Sequence, residues 1–162
     1  MKEYYCIECG SRLIEKTVDG EGKVPYCDKC ETYRFERYST AVSMIVRDIL
    51  TREILLIKQY GRDSFILVAG YVNPGEALEE AVRREIKEET GMNVKRLMYN
   101  RSRFFPPSDT LMCNFTVWVD RAELNTNREI DSYSWFSEED ARRNIRENSL
   151  AKKFLISYLE TV

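Results

Sequence analysis

The chain has no histidine anywhere in its 162 residues. That absence excludes every mechanism built on an imidazole base, Ser-His-Asp and Cys-His catalysis included. It also excludes any His-ligated metal site. Acid–base chemistry is left to carboxylate, Lys, Tyr or Cys, and a transition metal would have to sit on thiolate or carboxylate. An excess of charge of one sign is lacking too: 25 Lys plus Arg face 27 Asp plus Glu, a formal charge of −2. Such a balance provides no broad basic field for gripping nucleic acid through its phosphates. No apolar run approaches the ~18 residues of a membrane-crossing helix, so no membrane partner is expected. The segment from Met1 to Tyr5 lacks the basic-then-apolar layout of a secretion signal. The expected address is cytoplasmic. Hydrophobic residues at 43% and charged residues at 32% fit a soluble chain with one main domain and a small appendage.

Cysteine is what the chain has in unusual placement. Four of the five cysteines fall in the first 30 residues, as Cys6-Ile7-Glu8-Cys9 and Cys27-Asp28-Lys29-Cys30. Between them, Arg12 to Thr17 and Lys23 to Tyr26 read as a hairpin turning at Gly20 and Gly22. Two C-x-x-C turns joined by a hairpin can place four sulfurs around one tetrahedral ion, at ~2.3 Å each. So short a segment cannot build a core, and metal binding would supply most of its folding energy. The rival readings are two disulfides, which a cytoplasmic chain disfavours, and a redox C-x-x-C, which needs no second copy. Residues 1–36 are therefore read as a zinc ribbon on Cys6, Cys9, Cys27 and Cys30. Cys113 lies in an alternating stretch and reads as a buried strand residue.

The main domain, 37–162, begins with strands over Ala41–Asp48, Glu53–Gln59 and Ser64–Ala69. A helix follows over Glu76–Thr90, with Pro74 before it and Gly91 stopping it. Two more strands, Val94–Asn100 and Thr110–Val119, flank Pro106-Pro107. Ser137 opens a short helix, and Ser149–Glu160 is an amphipathic last helix carrying Leu150, Phe154, Leu155, Tyr158 and Leu159. The order β, β, β, α, β, β, α, α predicts a mixed sheet with helices on its faces. At ~100° per residue, the apolar stripe Leu78, Ala81, Val82 continues onto Glu85, Glu88 and Glu89. Carboxylates aimed at a core need a compensating cation, and clustered hard oxygens suit Mg²⁺ or Mn²⁺. The competing reading is a solvated helix surface paired to Arg and Lys, which fits Glu79, Glu80, Arg83 and Lys87 better.

Gly70, Glu76 and the run Arg84-Glu85-Ile86-Lys87-Glu88-Glu89-Thr90-Gly91-Met92 resemble the Nudix box at every required position. Background frequencies make that a chance event on the order of one in 10⁸. The chain looks like a Nudix hydrolase, a family that cleaves nucleoside diphosphates linked to another group. The resemblance implies an α+β fold, the α/β/α sandwich with a mixed sheet. It also implies that Glu85, Glu88, Glu89 and the Gly70 carbonyl hold Mg²⁺ or Mn²⁺. Arg84 would pair with a box glutamate, Glu76, and Gly91 would close the box. Bound metal would bridge the diphosphate and acidify a water, and one of the carboxylates would take its proton. The general base stays open among the glutamates.

A zinc ribbon before a Nudix domain is similar to the NADH diphosphatase branch. Its signature is matched by Ser102, Pro106 and Leu111-Met112, with Arg103, Phe104, Phe105, Pro107 and Ser108 departing from it. Many family members carry an acid three residues before a terminal aromatic pair. Here Ser132 holds that place before Trp135-Phe136, and Glu129 and Asp131 are the nearest acids. The candidate substrate contacts are Phe104, Phe105, Arg103 and Glu129, on what reads as a Pro-stiffened loop over 102–112 and the segment before the last strand. Phe104 or Phe105 would stack on a nicotinamide or adenine ring, with Arg reaching phosphate. Equally, those rings could only cap the core. Three functions remain open: hydrolysis of NADH or NAD⁺, free or capping an RNA end, to AMP and nicotinamide mononucleotide; the same chemistry on ADP-ribose, a nucleotide sugar or another dinucleotide; and a non-catalytic nucleotide sensor or RNA-binding module. The branch resemblance also implies a homodimer.

Overall fold

The computed structural model describes residues 4–35, 37–123 and 130–161. It divides into two compact units, Met1–Arg37 and Tyr38–Val162. The first holds strands β1 (Ile14–Val18), β2 (Gly22–Cys27) and β3 (Thr32–Tyr33), paired antiparallel in that order. The hairpin follows the expected arms, with Val18 opposite Gly22 across the turn. Tyr26 and Tyr33 meet edge to face at 4.9 Å, and Lys16 Nζ sits 3.3 Å from the Tyr26 ring centroid. Among the described residues of this unit, Cys6, Val24 and Cys27 are the buried apolar side chains. That set is too small to hold a domain by hydrophobic burial alone.

The second unit contains β4 (Ser39–Asp48), β5 (Ile54–Gln59), β6 (Val68–Tyr71), α1 (Leu78–Thr90), β7 (Val94–Phe105), β8 (Thr110–Val119), β9 (Ile130–Phe136), α2 (Glu138–Asn144) and α3 (Leu150–Leu159). Strand order is β7-β8-β4-β5-β9, with β6 also paired to β4. The β4–β8 pair is parallel over its whole length, and the others are antiparallel, so the sheet is mixed as expected. β4 is apolar on both faces because both are covered. Val42, Met44 and Val46 pack with Ala81, Val82 and Ile86 of α1. Ile45 joins Ala141 of α2 and Phe154, Leu155 and Tyr158 of α3. These two cores define an α/β/α sandwich. Each fully buried side chain of this size contributes about 1.5–3 kcal/mol.

The structure differs from the sequence reading at several elements, and the third strand of this unit is Val68–Tyr71 rather than Ser64–Ala69, with Ile66 held only by an isolated bridge to Ile57. The helix starts at Leu78 rather than Glu76, because residues 73–76 form a turn in which Glu76 N–H bonds to the Asn73 carbonyl. β7 runs on to Phe105, so Phe104 and Phe105 lie on a strand and not on a loop. A register shift between Tyr99 and Arg101 breaks the period-2 pattern there. The last strand, β9, lay outside the predicted element order; it pairs with β5 and breaks register between Lys58 and Gln59. Both C-terminal helices are capped as their serines imply, with Ser137 accepting from Asp140 N–H and Ser149 from Lys152 N–H.

Candidate functional site

α1 is held at both ends by its own residues. Glu80 reaches back to the Ala77 amide at 2.9 Å, and Gly91 ends the helix at φ 75° with its N–H on the Lys87 carbonyl. Only glycine takes that left-handed geometry without a Cβ penalty. Anchored this way, the helix presents its carboxylates in a graded series. Glu89 is 3% exposed, the Glu85 side chain 12% and the Glu88 side chain 58%. The predicted stripe therefore turns outward at Glu88, and Ile86 takes the inward place beside Val82.

Arg84 organises the cluster. Its Nε and Nη2 form a fork on Glu76 at 2.8 and 2.9 Å, and Nη1 donates to Glu85 at 2.7 Å and to Glu88 at 3.2 Å. Nη2 also donates to the Tyr71 carbonyl at 2.9 Å, tying α1 to the end of β6. The pairing with Glu76 matches the sequence reading. The Arg84 guanidinium, with help from the Asn73 amide, holds the Glu76 carboxyl down at about 2. On the other flank, Gln59 Nε2 approaches Glu89 Oε2 at 3.4 Å in a buried setting.

Gly70 sits on β6 directly against Glu85. A Cβ built on it would lie 1.9 Å from the Glu85 carboxyl carbon and 2.1 and 2.2 Å from its oxygens. The missing side chain is the space that the carboxylate occupies. Gly70, Glu85, Glu88 and Glu89 thus share one wall, and an all-oxygen donor set of this kind fits Mg²⁺ or Mn²⁺.

That wall belongs to a cavity of 610 Å³. Its lining combines Glu85, Glu88, Glu89 and Arg84 with the rings of Tyr60, Tyr71 and Phe105 and the apolar side chains of Met112 and Leu150. The candidate substrate residues divide. Phe105 lines the cavity. Phe104 turns to the opposite strand face and stacks edge to face on Tyr38 at 5.9 Å. Arg103 lines a separate 390 Å³ depression beside Ser149, Lys152 and Lys153 of the α3 region. Glu129 lies outside the described residues. Asp131 accepts from the Gly61 amide at 2.6 Å, and Ser132 stands opposite Lys58 across the β5–β9 pair. Sequence reasoning missed Gln59, Tyr60, Met112 and Leu150. Gln59 left a trace, since it shares strand parity with Ile57 and is a polar residue in an apolar stripe. Met112 registers only as a match to the branch signature, Leu150 reads as ordinary core, and Tyr60 carries no signal.

The second cluster is made of thiols. The sulfur atoms of Cys6, Cys9, Cys27 and Cys30 all lie within 4.8 Å of one another. Cys9 and Cys27 are 3.5 Å apart and Cys6 and Cys30 3.9 Å. A tetrahedron with 2.3 Å metal–sulfur bonds has edges of about 3.8 Å, so the spacing fits a single Zn²⁺. The amides of Cys9 and Glu8 point at the Cys6 sulfur and bring its thiol down to about 6. Cys30 is instead pushed up to about 12 by the neighbouring Cys9 sulfur and by burial, so a metal must displace its thiol proton on binding. Cys113 is buried among apolar neighbours, which pushes its thiol up. It belongs to the core.

A carboxylate helix pinned by one arginine against a glycine strand is the arrangement of the NUDIX family. The family model described as "NUDIX domain" matches residues 37–157, and the chain belongs to this family. It is 33% identical over 147 residues to "Nudix hydrolase 19, chloroplastic" of Arabidopsis thaliana, covering 86% of this chain and 33% of that protein. It is 33% identical over 131 residues to "NAD-capped RNA hydrolase NudC" of Chromobacterium violaceum, covering 79% of this chain and 49% of that one. The chain thus spans a third to about half the length of these relatives. A NUDIX hydrolase structure from Nitrosomonas europaea superposes with a TM-score of 0.70 at 20% identity, covering 96% of this chain and 90% of that one. At that identity the match speaks for the fold alone. No helix among the described residues is long and apolar enough to cross a membrane.

Proposed function

We propose that this protein is a divalent-metal-dependent Nudix hydrolase that splits the diphosphate of NAD(H), free or at an RNA 5′ end, into AMP and nicotinamide mononucleotide products. One observation carries this reading. A single cavity is lined by three box carboxylates together with Tyr60, Tyr71, Phe105, Met112 and Leu150. The name of the Chromobacterium violaceum relative supports NAD as the substrate class.

In this reading Glu85, Glu88, Glu89 and the Gly70 carbonyl hold Mg²⁺ or Mn²⁺, which when bound neutralises diphosphate charge and acidifies water. Arg84 keeps Glu85 and Glu88 from splaying, and Gln59 steadies Glu89. Phe105 and Tyr71 flank a planar ring and fix the diphosphate relative to the carboxylates. Hydrolysis adds one water across the P–O–P bridge, and a box carboxylate accepts the proton released. Arg103 and Phe104 are not given a substrate contact in this reading, because they do not line the cavity. Four cysteines holding zinc complete the N-terminal unit, and their thiols call for a reducing compartment, the cytoplasm. The branch resemblance supports a homodimer.

A second reading keeps the chemistry and changes the substrate to ADP-ribose, a nucleotide sugar or another dinucleotide. It is favoured by Asn73 in the cavity lining, where the branch usually has Glu, and by the departures of the 102–112 segment from the branch signature. A panel of diphosphates with Mg²⁺ or Mn²⁺, followed by chromatography for AMP, separates the two. Fastest turnover of NADH supports the first reading, and fastest turnover of ADP-ribose the second. RNA binding without hydrolysis of any diphosphate would overturn both in favour of a sensor.

A further inference from the structure

Arg34 follows β3 directly and is fixed by its backbone, whose N–H donates to the Pro25 carbonyl at 2.7 Å. Its side chain, largely buried, folds back across the cysteine cluster. Nη2 meets Glu8 Oε2 at 2.6 Å, and Glu8 lies inside the first C-x-x-C turn. Cys6 and Cys30 are the sulfurs with which the guanidinium interacts electrostatically. Nε is buried and has no hydrogen-bond partner, the one such side-chain atom among the described residues. The nearby Lys16 is engaged elsewhere, over the Tyr26 ring and on Asp28. Arg34 is therefore a part-buried cation anchored inside the first C-x-x-C turn through Glu8, with a donor to spare.

Four thiolates around Zn²⁺ leave a net double negative charge on the core. Such a charge in a partly buried site calls for a cation or for N–H donors to sulfur. We propose that Arg34 is the charge-neutralising partner of the four-cysteine metal centre, with Glu8 holding its guanidinium on the Cys6 and Cys30 sulfurs. The role is one of positioning and charge, and Arg34 is not a metal ligand. It rests on the reading of this unit as a zinc site.

The test uses the full chain. Zinc content is measured in the wild type, then zinc is titrated out with a chromophoric chelator from the wild type, Arg34→Met, Arg34→Lys and Glu8→Gln. The expected result is a fall in zinc affinity of about 10–100-fold for Arg34→Met, with smaller losses for Arg34→Lys, which keeps the charge, and for Glu8→Gln, which frees the anchor. Cobalt substitution gives the second readout. Cation and N–H donors stabilise the sulfur lone pairs, so the sulfur-to-cobalt charge-transfer band should move to lower energy in Arg34→Met and return most of the way in Arg34→Lys. Unchanged affinity, or weaker binding with an unmoved band, would overturn the proposal. If Arg34→Met does not fold, Arg34→Lys and Glu8→Gln decide it by the same two readouts. A wild-type chain that holds no zinc would instead overturn the zinc reading itself.

Discussion

At the scale of single residues, the site depends on an absence of atoms at position 70. Replacing Gly70 by Ala puts a methyl where the Glu85 carboxylate lies. The displaced group is the end of a flexible side chain, so Gly70→Ala is expected to fold. Misplacing a carboxylate by about 1 Å should lower kcat on the order of 10²-fold. A thermal melt alongside steady-state kinetics checks both halves, and a wild-type rate in the variant would remove Gly70 from the site. Glu76 makes a prediction about pH. Its folded pKa of about 2 lies below the ordinary 4.5. A depressed carboxylate stabilises the fold above the unfolded pKa and loses that contribution as pH falls through the folded one. Glu76→Gln should therefore be less stable than the wild type above pH 4.5, with the gap closing on the way down to pH 2. Urea midpoints across that range measure it, and a gap independent of pH would contradict the Arg84 pairing as its source.

At the scale of elements, α1 is legible in the sequence, whereas β7 is legible only up to Asn100 and not in its continuation to Phe105. A helix places residues by an unbroken period, so Glu85 and Glu89 could be assigned a direction from Leu78, Ala81 and Val82. Its stop at Gly91 was readable for the same local reason. Gly91→Ala forces a Cβ into the left-handed region and is expected to cost about 1–2 kcal/mol in denaturant unfolding. The strand β7 carries a register break at Tyr99–Arg101, which flips side-chain parity for everything beyond it. Periodicity alone could not tell which of Phe104 and Phe105 faces the carboxylates. The structure separates them, and kinetics should as well. Phe105→Ala is expected to raise KM for NADH about 2–10-fold, the worth of one aromatic contact. Phe104→Ala, which loses its Tyr38 contact on the other face, should leave KM unchanged. Equal effects from both would mean that the ring at the cavity is not selected by strand parity.

At the scale of the molecule, two candidate metal sites of opposite chemistry, four cysteines and three box glutamates, lie in units of very different construction. The C-terminal unit has two apolar cores, one on each face of its sheet. The N-terminal unit has a handful of buried side chains, two of them cysteines. Stripping zinc with a strong chelator should therefore collapse the amide dispersion of residues 4–35 in a two-dimensional NMR spectrum. The signals of 38–162 should stay dispersed under the same treatment. Retained dispersion in both would show that the small unit does not need its metal.

The sequence by itself determined which chemistry is possible. Histidine's absence, two C-x-x-C turns and glutamates at helical spacing are local facts, and each limits ligands or proton carriers without reference to the rest of the chain. Gly70 and Arg84 were legible because the box keeps them at set distances from those glutamates. Only the tertiary structure decided what surrounds that chemistry. Gln59 beside Glu89, Phe105 rather than Phe104 at the cavity, and Met112 with Leu150 in its lining all depend on strand order and register. Those are settled by pairings between segments far apart in the chain, and no local pattern records them. Arg34 belongs to the same class, since nothing in its own neighbourhood of sequence says that it turns back onto Glu8.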